Sequence, residues 1–395
     1  MNSNRLLKSQ TKKGCVTALV LIVIAGAWIM PGRCLARPGQ GAELAQFRIT
    51  KYGSQIILPV KFKDNEYWFL LDTGSSFTIF DASFRNDLGN ATGKAKIKTP
   101  RKERSEDIYN APEAFLGGMN LKSCAGVLCI DLEQAGYAED KKIRGIIGMN
   151  FLRKYMVQID FDLDMLYFFE SVQDEKLRWG QSCDLTFPTG GLPHIKGTVF
   201  FDMPVEFLVD TGYCGTGSLE EKIFRQILSQ KKAKTIEASF VTLGGTIKER
   251  EARINDLGIG DFHYRDLIFS EMDSSMLGLD FLAWHGVIFD FQNKCMYVEE
   301  GRDYRKRDDR DMSGLRIAKS YDKTIVHSVE VNSPAKKAGL KAGDVIIMVG
   351  QKLASQYDIW ILRRDLMAMD GSKVEITFER NGQMRKALLV LAQKL

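Results

Sequence analysis

The sequence predicts a mainly β protein: two homologous β-rich lobes followed by a small α+β domain. Three observations predict it: a block of sequence that recurs in register, short alternating apolar runs bounded by turn residues, and a change of character after residue 312. A chain of 395 residues has room for two or three domains, and 45% hydrophobic against 27% charged residues is enough to bury cores.

The repeat organises the middle of the chain. Phe69-Leu70-Leu71-Asp72-Thr73-Gly74 returns 138 residues later as Phe207-Leu208-Val209-Asp210-Thr211-Gly212. Gly148-Met149-Asn150-Phe151-Leu152 returns 130 residues later as Gly278-Leu279-Asp280-Phe281-Leu282, and Val157, Asp160, Phe161 and Tyr167 keep that spacing with Val287, Asp290, Phe291 and Tyr297. The difference between the two spacings is a loop-sized insertion in the first half, which costs little chain entropy. Within each half, short runs split by Asp64-Asn65, Asp202-Met203 and Gly244-Gly245 read as hairpins. Helix is scarce; Leu219 to Leu228, with Leu219, Ile223, Phe224 and Ile227 on one face, is the clearest candidate. The repeat and its flanks delimit a first lobe over 37–178 and a second over 179–300. The run Gly301 to Met312, nearly all charged with both signs mixed, reads as a solvated linker.

Charge excludes one class of function. The first 36 residues hold five basic side chains (Arg5, Lys8, Lys12, Lys13, Arg33) and no acid, and the remainder balances evenly. The basic pI therefore belongs to the amino terminus, and a nucleic-acid partner is not expected. Those basic residues precede an uncharged stretch, Cys15 to Met30, which Pro31-Gly32 interrupts; Cys34-Leu35-Ala36 then offers small residues for a cut after Ala36. This is the layout of a signal peptide over 1–36, with an uncleaved anchor as the alternative, because the stretch is close to the lower limit for a spanning helix. Either way the body is expected outside the cytoplasm, in a periplasmic, cell-envelope or secreted setting, touching membrane only through this segment. Five cysteines remain (Cys124, Cys129, Cys183, Cys214, Cys295), an odd number that reads as buried thiols, with a Cys183–Cys295 bridge left open.

The two Asp-Thr-Gly triplets carry the chemistry. Each follows an apolar strand, so the aspartate falls where a rigid element ends. The glycine permits a tight turn whose N–H groups face the carboxylate, and the threonine hydroxyl can bond across the junction. If the lobes pack about a pseudo-twofold axis, Asp72 and Asp210 meet, cannot both ionise, and share a proton. One then serves as base towards a water while the other donates to a substrate carbonyl. His194, His263, His285 and His327 are scattered, and neither His-Glu-x-x-His nor paired Cys-x-x-Cys nor Gly-x-Ser-x-Gly occurs; no metal or other cofactor is expected.

Residues 55–300 resemble the retropepsin-like aspartic proteases in a fused two-lobe form. Leu71-Asp72-Thr73-Gly74-Ser75-Ser76 matches the family's active-site motif, and Ile146-Ile147-Gly148 and Met276-Leu277-Gly278 match its downstream hydrophobic-hydrophobic-Gly element. The resemblance implies two acid-protease-type β-barrel lobes and Asp72 and Asp210 as the catalytic pair. It also implies Thr73 and Thr211 as loop braces, Gly74 and Gly212 as loop glycines, and a peptide or protein substrate. The second triplet departs from the pattern with Tyr213-Cys214-Gly215, and a ring at Tyr213 would crowd the pair. A hairpin around Gly244-Gly245 and the segment Arg101 to Tyr109 are candidate flaps.

Residues 313–395 resemble a PDZ domain through Ser333-Pro334-Ala335, Ala338-Gly339-Leu340 and Gly343-Asp344. The resemblance puts a carboxylate-binding loop at Gly314-Leu315-Arg316-Ile317 and implies a peptide ligand, although Gly-Leu-Gly-Phe is not preserved. Three readings follow: an exported aspartic endopeptidase working within one chain, a non-catalytic peptide-binding protein on the same fold, or two chains pairing through Asp72.

Overall fold

The computed structural model describes residues 41–395 apart from 50–54, 100–101, 134–136, 139–140, 172–178, 189, 201, 232–233, 243–244, 305–307, 309–310, 321–322, 358 and 394–395. The proposed leader, 1–36, lies outside the described residues. Among those residues, no helix is long and apolar enough to cross a membrane.

The repeat in the sequence becomes a twofold repeat in space. A six-stranded antiparallel sheet runs Glu43–Arg48, Met165–Glu170, Tyr155–Asp160, His285–Asp290, Cys295–Glu300, Gln181–Asp184. Its two central strands come from the two lobes. Val157 pairs with Phe289, Gln158 with Ile288 and Ile159 with Val287. Since Val287 is the counterpart of Val157 and Phe289 of Ile159, the pseudo-twofold axis passes between Gln158 and Ile288. Apart from the half-buried Tyr155 both strands are buried throughout, with Val157, Ile159, Val287 and Phe289 in the main core, as the centre of a sheet packed by two lobes requires.

Each lobe is a larger sheet with the same strand order. The first runs Ala91–Thr99, Lys102–Tyr109, Val127–Ile130, Ile79–Asp81, Lys141–Ile147, Asn65–Leu71, Ile57–Phe62, Ala114–Leu116, Met119–Asn120. The second runs Thr235–Thr242, Gly245–Ile254, Leu267–Met272, Gly217–Glu220, Met276–Leu277, Met203–Val209, His194–Val199, Leu257–Ile259, Phe262–Tyr264. Both predicted flap segments are thus long antiparallel hairpins, although the first lobe's turn and Gly244 at the second lobe's turn lie outside the described residues. The helix expected at Leu219 to Leu228 forms at Glu221–Lys231, with Phe224 and Ile227 buried. Leu219 instead ends up in the strand Gly217–Glu220.

The run after Gly301 is less solvated than its composition suggests. The Tyr304 ring packs against Phe262, Tyr264 and His285 at centroid distances of 5.4, 5.6 and 5.6 Å. Asp308, only 5% exposed, accepts the Ile268 N–H at 2.6 Å. One aromatic and one aspartate inside a charged run pin it to the second lobe, a role that mean composition conceals. Met312 is already part of the C-terminal core.

That last domain has its own core, with a sheet ordered Leu315–Ser320, Lys323–Val329, Val345–Val349, Lys373–Arg380, Gln383–Val390. Ser333 caps the helix Pro334–Lys337 by accepting the Lys336 N–H at 3.1 Å, with proline at the first helical position. The second helix, Ile359–Asp365, is shorter than the Tyr357 to Met369 span that its sequence suggests.

His285 is 1% exposed; its Nδ1 donates to Phe281 O at 3.0 Å, so its Nε2 accepts the Tyr264 hydroxyl at 2.7 Å. Burial pushes its pKa down to about 4. The unfolded chain therefore binds a proton near pH 6.5 that the folded chain refuses until about pH 4. Stability should fall by about 3 kcal/mol as pH drops through that window. Chemical denaturation of wild type and His285→Gln at pH 7 and pH 4.5 checks it: the variant starts less stable and loses less on acidification.

Candidate active site

The two triplets sit at equivalent strand ends. Strand Asn65–Leu71 runs parallel to Lys141–Ile147, with Leu71 opposite Ile147; strand Met203–Val209 runs parallel to Met276–Leu277, with Val209 opposite Leu277. The Asp72 N–H donates to Ile147 O at 3.0 Å and the Asp210 N–H to Leu277 O at 2.9 Å, so each aspartate is held against its hydrophobic-hydrophobic-Gly element. Gly148 and Gly278 are sterically required there. An added Cβ would lie 2.2 Å from Phe77 O in one lobe and 2.2 Å from Gly215 O in the other.

The threonines lock the loops to each other. Thr73 Oγ1 donates to Val209 O at 2.6 Å and accepts the Thr211 N–H at 3.0 Å. Thr211 Oγ1 donates to Leu71 O at 2.9 Å and accepts the Thr73 N–H at 3.0 Å. All four bonds cross between the lobes and are buried, so each hydroxyl uses its donor and an acceptor on the other loop.

This clasp brings Asp72 and Asp210 together. Each glycine passes beneath the opposite carboxyl: a Cβ on Gly74 would stand 2.5 Å from Asp210 Cγ, and one on Gly212 would stand 2.6 Å from Asp72 Cγ. No side chain fits at either position. The Gly74 N–H donates to Asp72 Oδ1 at 2.8 Å, and the Gly212 and Tyr213 N–H groups donate to Asp210 Oδ1 at 2.8 and 3.2 Å. Burial raises the pKa of both carboxyls. The Asp210 charge pushes Asp72 well above the usual carboxylate range, while backbone N–H donors and a hydrogen bond from Asp72 oppose the rise at Asp210. Two carboxyls this close cannot both ionise freely, and of the two Asp72 is pushed further towards its neutral form.

Tyr213 does not crowd the pair. Its ring crosses over Gly215, where a Cβ would meet the phenol oxygen at 2.7 Å, and its hydroxyl reaches Ser270 Oγ at 3.0 Å. The side chain thus points into the second lobe while its N–H serves Asp210. The sequence could not tell which way the ring would turn; glycine two residues on is the one local signal. Cys214 is half-buried, and burial, Asp280 and the acid pair push its thiol up to about 12. All five cysteines of the body are free thiols; Cys183 and Cys295 lie on adjacent strands, one register position apart. Among the described residues, no group of three or more His, Cys, Asp or Glu is arranged to hold a metal ion.

In the C-terminal domain, Gly314 adopts φ +67°, and a Cβ there would strike Ser333 Cβ at 2.2 Å. Its N–H donates to Asp311 Oδ2 at 2.6 Å, and the Leu315 N–H donates to Ser313 Oγ at 2.9 Å. Two N–H groups of the expected carboxylate loop are therefore already engaged within the chain. Leu315 and Ile317 are buried, and Arg316 is exposed.

Fold and site together define a protease-type chain with an aspartyl-protease body and a peptide-binding type of module behind it. Residues 58–151 and 195–281 match the aspartyl protease family model and residues 312–391 match the PDZ domain model, so the chain carries both. No curated protein sequence matches it. Among solved structures it is similar to a photosystem II D1 C-terminal processing protease, at 25% identity and a TM-score of 0.21, over 23% of this chain and 26% of that one. The chain thus spans about a quarter of that protease's length.

Replacing Thr73 or Thr211 with alanine removes two buried bonds and orphans their partners. Each variant should lose about 2 kcal/mol or more by denaturant unfolding, with Thr→Ser largely retaining stability. Tyr213→Phe should cost about 1 kcal/mol, leaving the N–H contact to Asp210 and the pH behaviour of the pair intact; a shifted pH profile would place the hydroxyl nearer the acids than described.

Proposed function

We propose that the chain is an exported aspartic endopeptidase that hydrolyses peptide bonds with a water activated between Asp72 and Asp210. The observation that carries the reading is the proton-sharing pair, held within one chain by reciprocal threonine bonds. Asp210, whose carboxylate receives the Gly212 and Tyr213 N–H groups, is the ionised member and takes a proton from the water as its oxygen attacks the carbonyl carbon. Asp72 gives its proton to the carbonyl oxygen, forming a neutral gem-diol. Asp210 then protonates the amide nitrogen, Asp72 recovers a hydroxyl proton, and the C–N bond breaks to give a carboxylic acid and an amine. Both acids return to their starting states, and no covalent enzyme intermediate is formed.

The turn of the Tyr213 ring away from the pair, into the second lobe, and the completeness of the pair in a single chain favour this reading over a passive peptide binder or a two-chain site. The leader motivates export to a periplasmic, envelope or extracellular setting, and cell fractionation of a tagged full chain tests that. The PDZ domain is proposed to recruit peptide segments of substrates or partners through strand addition at Leu315–Ser320.

Asp72→Asn and Asp210→Asn should each lower peptidase activity at least roughly a hundredfold. The wild-type rate should follow a bell in pH whose alkaline limb lies above the ordinary carboxylate range, because the shared proton is lost only as pH rises through the raised value. Undiminished cleavage in either variant would defeat the mechanism.

A further inference from the structure

The two lobes differ along one rung of their sheets. In the first lobe the rung is apolar: Leu70 pairs with Ile146, Ile146 with Ile79, Ile79 with Leu128 and Leu128 with Ile108. The same path through the second lobe gives Leu208, Met276, Ser218, Ser270 and Glu251. Three aliphatic side chains are replaced by two serines and a glutamate. They are buried all the same: Ser218 and Ser270 are fully covered and Glu251 is 4% exposed. Burying such groups costs free energy that an apolar rung avoids, as the first lobe shows. Leu208 stands two residues before Asp210, so the rung lies on the side of the strand that carries this acid.

The polar rung is where the Tyr213 phenol ends. Ser270 Oγ donates to Glu251 Oε1 at 3.3 Å and lies 3.0 Å from the Tyr213 oxygen. With its own hydrogen given to the carboxyl, the serine accepts the phenol's. A further contact of the phenol, to Gly217 O, is longer at 3.4 Å. The ring packs against Leu208, Met272 and Met276. Apolar packing has no direction, whereas a hydrogen-bond chain does, so the chain decides which way the ring points. Tyr213 follows Asp210 by three residues, and a ring released from the rung would have the approach to the acids within its reach. Glu251 belongs to the strand Gly245–Ile254, so the same chain joins the second-lobe hairpin to the Asp210 loop.

We propose that Glu251 is a positioning residue: through Ser270 it tethers the Tyr213 phenol inside the second lobe and keeps the space before the acid pair clear for a peptide. Its effect on catalysis rests on the peptidase reading above; the tether itself does not.

The test combines steady-state peptidase kinetics with nitration of tyrosine by tetranitromethane, mapped by mass spectrometry, both on the purified full chain. Glu251→Ile installs the residue type of Ile108 and cuts the tether. It should raise KM roughly fivefold, the hold of about one hydrogen bond on the ring, with a much smaller change in kcat. Glu251→Gln, which keeps an acceptor oxygen, should retain most of the wild-type KM. Tyr213→Phe, which keeps the ring and loses its tether, should raise KM as Glu251→Ile does, with the pH profile unmoved. In a Tyr213→Ala background, where no ring is left to stray, Glu251→Ile should no longer raise KM. Nitration of Tyr213 should be several-fold faster in Glu251→Ile than in wild type. Ser270→Ala cuts the chain at its middle and carries both readouts if Glu251→Ile fails to fold. A KM unchanged by cutting the tether, or raised equally with and without the ring, overturns the positioning role, because a merely structural defect is indifferent to the ring. If wild type cuts no peptide yet nitration of Tyr213 rises when the tether is cut, the peptidase reading falls and the tether stands. Equal nitration with and without Glu251 overturns the tether.

Discussion

Everything in the site depends on the reciprocal clasp of Thr73 and Thr211. Two carboxyls repel when ionised and lose hydration when brought together, so proximity must be imposed by something stiffer than the acids themselves. Four buried hydrogen bonds, each crossing from one loop to the main chain or hydroxyl of the other, impose it here. Glycine at 74 and 212 lets the loops close beneath the carboxyls, and Gly148 and Gly278 let the flanking elements support them from behind. Burial raises the pKa of both carboxyls, and closeness adds the Asp210 charge to the rise at Asp72.

The clasp in turn needs both lobes in fixed register, and the shared sheet supplies it. Tyr155–Asp160 and His285–Asp290 pair around the pseudo-twofold axis, so a slip of one residue would exchange their two buried faces and displace the loops. The second lobe carries extra duties: it anchors the charged run through Tyr304 and Asp308, and it buries His285 in an aromatic cluster.

Much of this was legible in the sequence because duplication doubles the signal. One Asp-Thr-Gly is an ordinary turn, whereas two at matched positions, each followed downstream by apolar-apolar-Gly, identify Asp72 and Asp210 as neighbours before any coordinates. The threonine pairing was foreseen in kind, though not its fourfold reciprocity. The orientation of Tyr213 was not legible, since a side chain that can turn either way is decided by the space beyond Gly215 and the partner at Ser270. Nor was the docking of residues 304 and 308, because two anchoring side chains vanish in the average of a charged run.

The loops of the two lobes are alike but not equal. Asp210 receives the Gly212 and Tyr213 amides, whereas Asp72 receives the Gly74 amide with a smaller contribution from Ser75. In a perfectly symmetric dimer of lobes, a polypeptide could lie in either sense and react identically. Here the two acids differ in the amides that face them, so for the reaction proposed the bound strand acquires a single productive polarity, amino end to carboxy end.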